Sequence, residues 1–139
     1  MQSVVGIKAA DGSVAWRTDF PGRTAVIPTP IVRGNQVFVT AGYGVGCKSF
    51  TVAADGSVSE VYRNNNLGNH HGGVILVGDY LYGHSDKGGW TCLDFKTGEI
   101  KWQEKKLGKG AVGFADGMLY CLDENTGACV LVEASPNGW

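Results

Sequence analysis

The 139-residue chain has no run of lysine or arginine, no marked excess of either charge and no long apolar stretch, and each lack closes off a class of function. Twelve Lys and Arg against 13 Asp and Glu leave a net charge of −1, so neither a phosphate backbone nor an anionic membrane surface is a natural partner, and no nucleic acid is expected. No segment approaches the roughly 18 apolar residues of a membrane-spanning helix. The opening "MQSVVGIKAADGSVAW" has neither the basic start nor the long apolar middle of a secretory signal, and the chain reads as soluble. The four cysteines, Cys47, Cys92, Cys121 and Cys129, include no CxxC pair and no histidine at zinc-finger spacing, which disfavours a structural zinc site or a thioredoxin-like redox centre. They read as small core-filling residues. A disulfide between Cys121 and Cys129 across one hairpin is the alternative. Helical periodicity is also missing: no window keeps apolar residues at i, i+3, i+4 and i+7 over ten positions without a glycine or turn dipeptide breaking it.

What the chain does have is 22 glycines and many short apolar runs, among them "QVFVTAG", "GVILVG", "YLYGHS", "WTCLDF", "MLYCLD" and "ACVLVEA". Each is four to eight residues long, rich in β-branched or aromatic side chains, and bounded by Gly, Asp or Asn, which is the pattern of strands joined by tight turns. The fold class is therefore all-β.

The turns recur. Gly34, Gly78 and Gly117 each sit between two apolar runs, 44 and then 39 residues apart, and a second series, Gly12, Gly56, Gly98 and Gly138, keeps step with spacings of 44, 42 and 40. About 42 residues holding four short strands is the size of one propeller blade, in which four-stranded antiparallel sheets stack radially round an axis. With strands lettered a to d from inner to outer, the first series joins a to b and the second joins c to d at one end, leaving the b–c and d–a loops at the other. "GVILVG" falls on strand a, where its lack of alternation predicts burial of both faces. Strands c and d are expected at 3–18, a blade at 26–63, a second at 73–104 and an incomplete one at 111–139, making about three blades of a larger β-propeller. Strand c occurs at both ends of the chain, so the two ends do not merge into one blade, and the chain reads as part of a longer protein. Its uncovered sheets are expected to meet remaining blades or to self-associate.

At residues 92 to 102, "CLDFKTGEIKW" resembles the A-x-D-x-x-T-G-x-x-x-W signature of pyrroloquinoline quinone (PQQ)-like propeller repeats, with Cys92 in the small position followed by Asp94, Thr97, Gly98 and Trp102. "GIKAADGSVAW" keeps Gly12 and Trp16 but has Lys8 for the Asp, and "FTVAADGSVSE" puts Glu60 where the Trp belongs. The resemblance implies that Trp16 and Trp102 are docking residues that pack flat between blades, set by Asp94 and Gly98. It implies two kinds of protein, quinoprotein dehydrogenases and non-enzymatic relatives such as the outer-membrane assembly lipoprotein, and suggests a bacterial, periplasmic setting. The dehydrogenases hold PQQ with Ca²⁺ on Glu, Asn and Asp, use a catalytic Asp as base and carry adjacent cysteines. No adjacent cysteines occur here, and no Glu/Asn/Asp trio matches.

The candidate site lies at the a–b hairpin of the stretch "NHHGGVILVGDYLYGHSD". A two-residue Gly78-Asp79 loop pairs Val77 with Tyr80, Ile75 with Tyr82, Gly73 with His84 and His71 with Asp86. Period two then places His71, His84 and Asp86 on one face at the loop-rich end, where they could hold a divalent metal, bind a ligand or poise a His–Asp pair for proton transfer. The favoured reading is plainer, with the histidines and Asn69 bonding loop backbone and Asp86 capping a turn. His70, of opposite parity, falls outside the cluster, and Asn64, Asn65 and Asn66 read as turn formers. Trp90 is either a stacking surface for a flat ligand or a core ring between blades. A binding or scaffold module with no catalytic set is the favoured function, and a PQQ-dependent dehydrogenase the alternative.

Overall fold

Turn chemistry cuts the chain into strands of three to seven residues. In the computed structural model, which describes residues 3–139, these are β1 (Ser3–Ile7), β2 (Val14–Asp19), β3 (Ile31–Arg33), β4 (Gln36–Ala41), β5 (Gly46–Val52), β6 (Val58–Asn64), β7 (Val74–Val77), β8 (Tyr80–Ser85), β9 (Gly89–Asp94), β10 (Ile100–Glu104), β11 (Gly110–Ala115), β12 (Met118–Asp123) and β13 (Cys129–Glu133). There is no helix among the described residues. Every pairing is antiparallel and between sequence neighbours, giving four sheets in order: β1-β2, β3-β4-β5-β6, β7-β8-β9-β10 and β11-β12-β13. The expected hairpin register holds at Val77 with Tyr80 and Ile75 with Tyr82. Gly78 opens that loop at φ +57°, a conformation that costs a side-chain-bearing residue strain.

Three apolar cores lie between successive sheets. Val4, Trp16 and Phe20 meet Val37, Val39 and Phe50; Phe38, Cys47 and Leu67 meet Leu81, Leu93 and Phe95; Tyr82, Trp90 and Cys92 meet Leu119, Cys121 and Val132. Alternate residues of β8 therefore face opposite neighbours, Leu81 toward the second sheet and Tyr82 toward the fourth. This corrects one expectation. The strands most deeply buried on both faces are the middle ones, β4 and β5 of the second sheet and β8 and β9 of the third, whereas β7 is only half-buried along its length, because it is the edge strand of its sheet and has a partner on one side only.

The outer strands carry the docking residues. Trp102 of β10 packs on Tyr82 and Trp139 and donates its Nε1–H to the Ser135 carbonyl at 2.8 Å, so it reaches across to the segment after β13. Trp16 of β2 covers Gly6 and meets Phe50 of the second sheet edge-on at 5.5 Å. In the second sheet the part is played by Tyr62 and not by Glu60. A register shift between Ser49 and Phe50 advances the ladder, and Tyr62 donates to the Phe95 carbonyl of the next sheet at 3.1 Å. Gly98 lies beneath that ring: a Cβ there would come within 2.6 Å of Tyr62 Cδ2. Asp94 holds the turn, its Oδ1 accepting from the Lys96 and Thr97 amides at 2.9 and 3.0 Å.

Lys48 on β5 is 2% exposed, and its three ammonium hydrogens are matched by Thr18 Oγ1, the Asp19 carbonyl and Asp19 Oδ1 at 2.7, 3.0 and 3.0 Å, which ties the first sheet to the second. All four cysteines are free. Cys121 pairs across the ladder with Val130 and Cys129 with Leu122, so the two thiols lie on opposite faces of the fourth sheet, one buried and one exposed, and the hairpin disulfide is not formed.

Candidate functional site at the loop-rich end

The b–c and d–a loops gather at one end of the stack, as the turn spacing predicts, and bring polar side chains of three successive sheets together. Residues 65–73 link β6 to β7, and residues 105–109 link β10 to β11. Between them lie the β4–β5 loop with Tyr43, the β8–β9 loop with Asp86 and the β12–β13 turn with Glu124.

The expected His71, His84 and Asp86 cluster is not assembled at a point. The β7–β8 ladder ends at Val74 with Gly83, since Gly73 turns left-handed at φ +80° and takes the preceding residues out of strand geometry. Asn69, fully buried, closes the gap by donating through Nδ2 to the carbonyls of Gly73 and His84 at 3.0 and 2.9 Å. Each expected site residue then finds its own partner. His71 Nε2 meets Glu124 Oε2 at 3.0 Å. Asp86 Oδ2 accepts from the Tyr43 amide at 3.1 Å. His84 stands edge-on to Trp90, centroids 5.6 Å apart. Trp90 is a buried core ring, its Nε1–H donating to the Gly108 carbonyl at 3.0 Å. No group of three His, Cys, Asp or Glu among the described residues is arranged to hold a metal ion.

His84 nevertheless sits within the electrostatic reach of the others. Burial pushes its pKa below the usual histidine value of 6.5; Asp86 and Glu124 oppose that, while Lys109 and His71 reinforce it. A cleft of about 250 Å³ opens beside it, lined by Asp86, Lys87, Lys105, Leu107 and Gly108. The groove of about 500 Å³ at the other edge, between Val4, Val5, Val26, Ile27 and Val39, contains no ionisable group.

The residue at the centre of the site is one that strand parity discards. His70 packs between the rings of Tyr43 and His71, with centroids 4.5 and 4.7 Å away. Its Nε2 is 2.6 Å from the Tyr43 hydroxyl, and its Nδ1 is hydrogen-bonded to Lys109 Nζ. Tyr43 itself is held at φ +58°, a conformation rare for an aromatic residue, by its amide bond to Asp86. Parity applies only inside a ladder, and His70 lies outside one. The sequence marks a turn at Glu124 but not its place: "CLDENTG" at 121–127 repeats the C-L-D-x-x-T-G of residues 92–98, whose turn lies at the Gly78 end of the stack, whereas Glu124 lies at the loop-rich end. The turn repeats too, Asp123 Oδ1 accepting from the Asn125 and Thr126 amides at 2.8 and 3.2 Å.

The PQQ–Ca²⁺ pair of the dehydrogenases does not fit these residues. Among the described residues no acidic set converges, no two cysteines adjoin in sequence, and burial pushes the Cys92 and Cys121 thiols up to about 11 and about 12, so both stay protonated at neutral pH.

The family profile described as outer membrane protein assembly factor BamB matches residues 2–104. No curated protein matches the chain. Among solved structures, the computationally designed Ika4 protein aligns over 96% of this chain and 81% of its own, at 14% identity and a TM-score of 0.69. BamB from Moraxella catarrhalis aligns over 96% of this chain at 18% identity and a TM-score of 0.61, and the chain spans 43% of its length.

Proposed function

Since the chain belongs to the PQQ-like propeller family described as outer membrane protein assembly factor BamB, we propose that it is a non-catalytic binding or scaffold module whose binding face is the loop-rich end. The observation that carries this reading is the wiring of that end. Tyr43, His70 and Lys109 come from three different loops and bond in series, with Asp86 and Glu124 bracing the ends. Polar groups tied side to side across three sheets make a fixed surface for recognition. His71, His84 and Asp86 belong to this face as contact residues and Lys87 and Lys105 line its cleft. The family's description as an outer membrane protein assembly factor supports a proposed periplasmic place for the module, and no cofactor enters the proposal. A second partner surface is the outward face of the fourth sheet, where Tyr120, Leu122 and Leu131 are exposed, and where further blades or a second copy would pack.

Quantitative co-purification with Tyr43→Ala, Lys87→Glu and Lys105→Glu, against Asn35→Ala and Asp79→Ala at the opposite end, tests the binding face. A partner lost only with the first three supports it; equal loss from both ends, or none, overturns it. Dye reduction that requires added PQQ and Ca²⁺ would instead establish the dehydrogenase.

A further inference from the structure

The hydrogen-bond chain through His70 has a direction, and the direction specifies a ligand. An ammonium has three donors and no acceptor, so where Lys109 Nζ bonds His70 Nδ1 the imidazole must offer its lone pair there. A neutral imidazole keeps one N–H, which then sits on Nε2 and donates to the Tyr43 oxygen 2.6 Å away. The Tyr43 hydroxyl has thereby accepted its bond from the protein, and its own hydrogen is free. Tyr43 is 40% exposed and Asp86 is engaged by its backbone amide, so that hydrogen is presented to solvent. Lys109 retains two further hydrogens. No carboxylate lies within salt-bridge distance of it among the described residues, since Glu124 bonds His71 and Asp86 bonds Tyr43.

We infer that Tyr43 and Lys109 form a subsite for a carboxylate, the Tyr43 hydroxyl and the Lys109 ammonium each donating to it. This rests on the loop-rich end being the binding face and adds what that face selects. The ligand must accept, because what the relay leaves unused are donors, the Tyr43 hydroxyl hydrogen and two hydrogens of Lys109. It must be anionic, because Lys109 has no carboxylate within salt-bridge distance among the described residues, and Asp86 on the Tyr43 amide and Glu124 on His71 favour a single charge over two. A peptide C-terminus and a small organic acid share this chemistry.

Isotope-labelled protein titrated with acetate, N-acetylglycine, N-acetylglycinamide and inorganic phosphate, at constant ionic strength, tests it by NMR. Both carboxylates should move the Tyr43, His70 and Lys109 signals saturably, and the amide should not. Tighter binding of N-acetylglycine than of acetate identifies a peptide terminus; equal binding identifies a small acid. Tyr43→Phe keeps the ring and removes only the hydroxyl, and should weaken binding about tenfold, as loss of one hydrogen bond to a charged group does. Nitrogen shifts should show His70 protonated on Nε2. The inference is overturned by an equal response to the amide, by phosphate binding as tightly, by an unaltered Tyr43→Phe, or by the opposite tautomer. Absence of carboxylate binding in a protein whose partner is still lost with Lys87→Glu and Lys105→Glu removes this subsite and leaves the binding face in place.

Discussion

Strands β8 and β12 hold equivalent places in the third and fourth sheets, and both read as nearly continuous apolar segments. Tyr82 pairs with Ile75 and Tyr120 with Gly113, so the two tyrosines occupy one position on the same face, which Phe38 of the second sheet, paired with Ile31, also holds. Phe38 and Tyr82 are each 1% exposed, whereas Tyr120 is 37% exposed. Propensity and turn chemistry hardly differ between them. The difference is the next sheet, which covers Phe38 and Tyr82 and is lacking outside Tyr120 among the described residues. In a stack of this kind burial belongs to the neighbour pair more than to the strand.

That comparison is broken most directly by truncating both tyrosines. Tyr82→Ala should destabilise the fold by about 3–5 kcal/mol, through lost burial and a cavity against Trp102 and Leu119. Tyr120→Ala should cost under about 1 kcal/mol, as a largely exposed site does. Urea unfolding curves measure both. Equal losses would mean that Tyr120 is covered in solution.

Covering is the next test. Tyr120, Leu122 and Leu131 form an exposed apolar patch on the outward face, and a chain that self-associates through it should show a mass in light scattering that rises with concentration. Leu122→Glu should return the scattering to that of a monomer without lowering the unfolding midpoint at high dilution. A wild-type protein that stays monomeric at all concentrations would refute association through this face.

A smaller effect separates the two kinds of docking residue. Tyr62→Phe keeps the ring over Gly98 and removes the hydrogen bond to the Phe95 carbonyl, for a loss of about 1 kcal/mol by denaturant unfolding. Glu60→Gln, at the position the repeat signature assigns to docking, should change stability less, since Glu60 only shares Lys48 and Arg63 with Asp19 on a half-exposed edge. The reverse order would restore Glu60 to the docking position.

These residues also show what was legible in the chain. Turn chemistry fixes the hairpins, so the strand count, the blade spacing and the Val77–Tyr80 register could be read directly. Tyr62 was hidden because the register shift that follows the first pair in the two tryptophan sheets follows the third pair here, and a fixed spacing does not see where a bulge falls. The site was hidden for a related reason. Two-residue parity joined His71 to His84 and Asp86 by extending a ladder past Gly73, which stops it. His70, Tyr43 and Lys109 are brought together by three loops 27 and 39 residues apart along the chain, and no local pattern encodes that meeting.

The smallest effect concerns the position that His84 and Leu122 share on those two strands, with His84 under partial cover and Leu122 bare. Burial holds the His84 pKa below its ordinary value of 6.5, so at mildly acidic pH the unfolded chain binds a proton that the native site takes up only at lower pH. The unfolded state then carries more protons, and linkage makes native stability fall as pH drops. The contribution is whole above about pH 6.5 and is lost progressively below it, with a slope of at most about 1.4 kcal/mol per pH unit for one proton. His84→Leu places the fourth sheet's residue in the third. It removes the titrating group and the ring set against Trp90, so it should flatten the stability profile between neutral and mildly acidic pH while shifting its overall level. Denaturant midpoints measured across that range for wild type and variant isolate His84 from the other two histidines, which both proteins retain. An unchanged slope would show that His84 is solvated in the folded protein and that the cover of the fourth sheet does not extend to this end of β8.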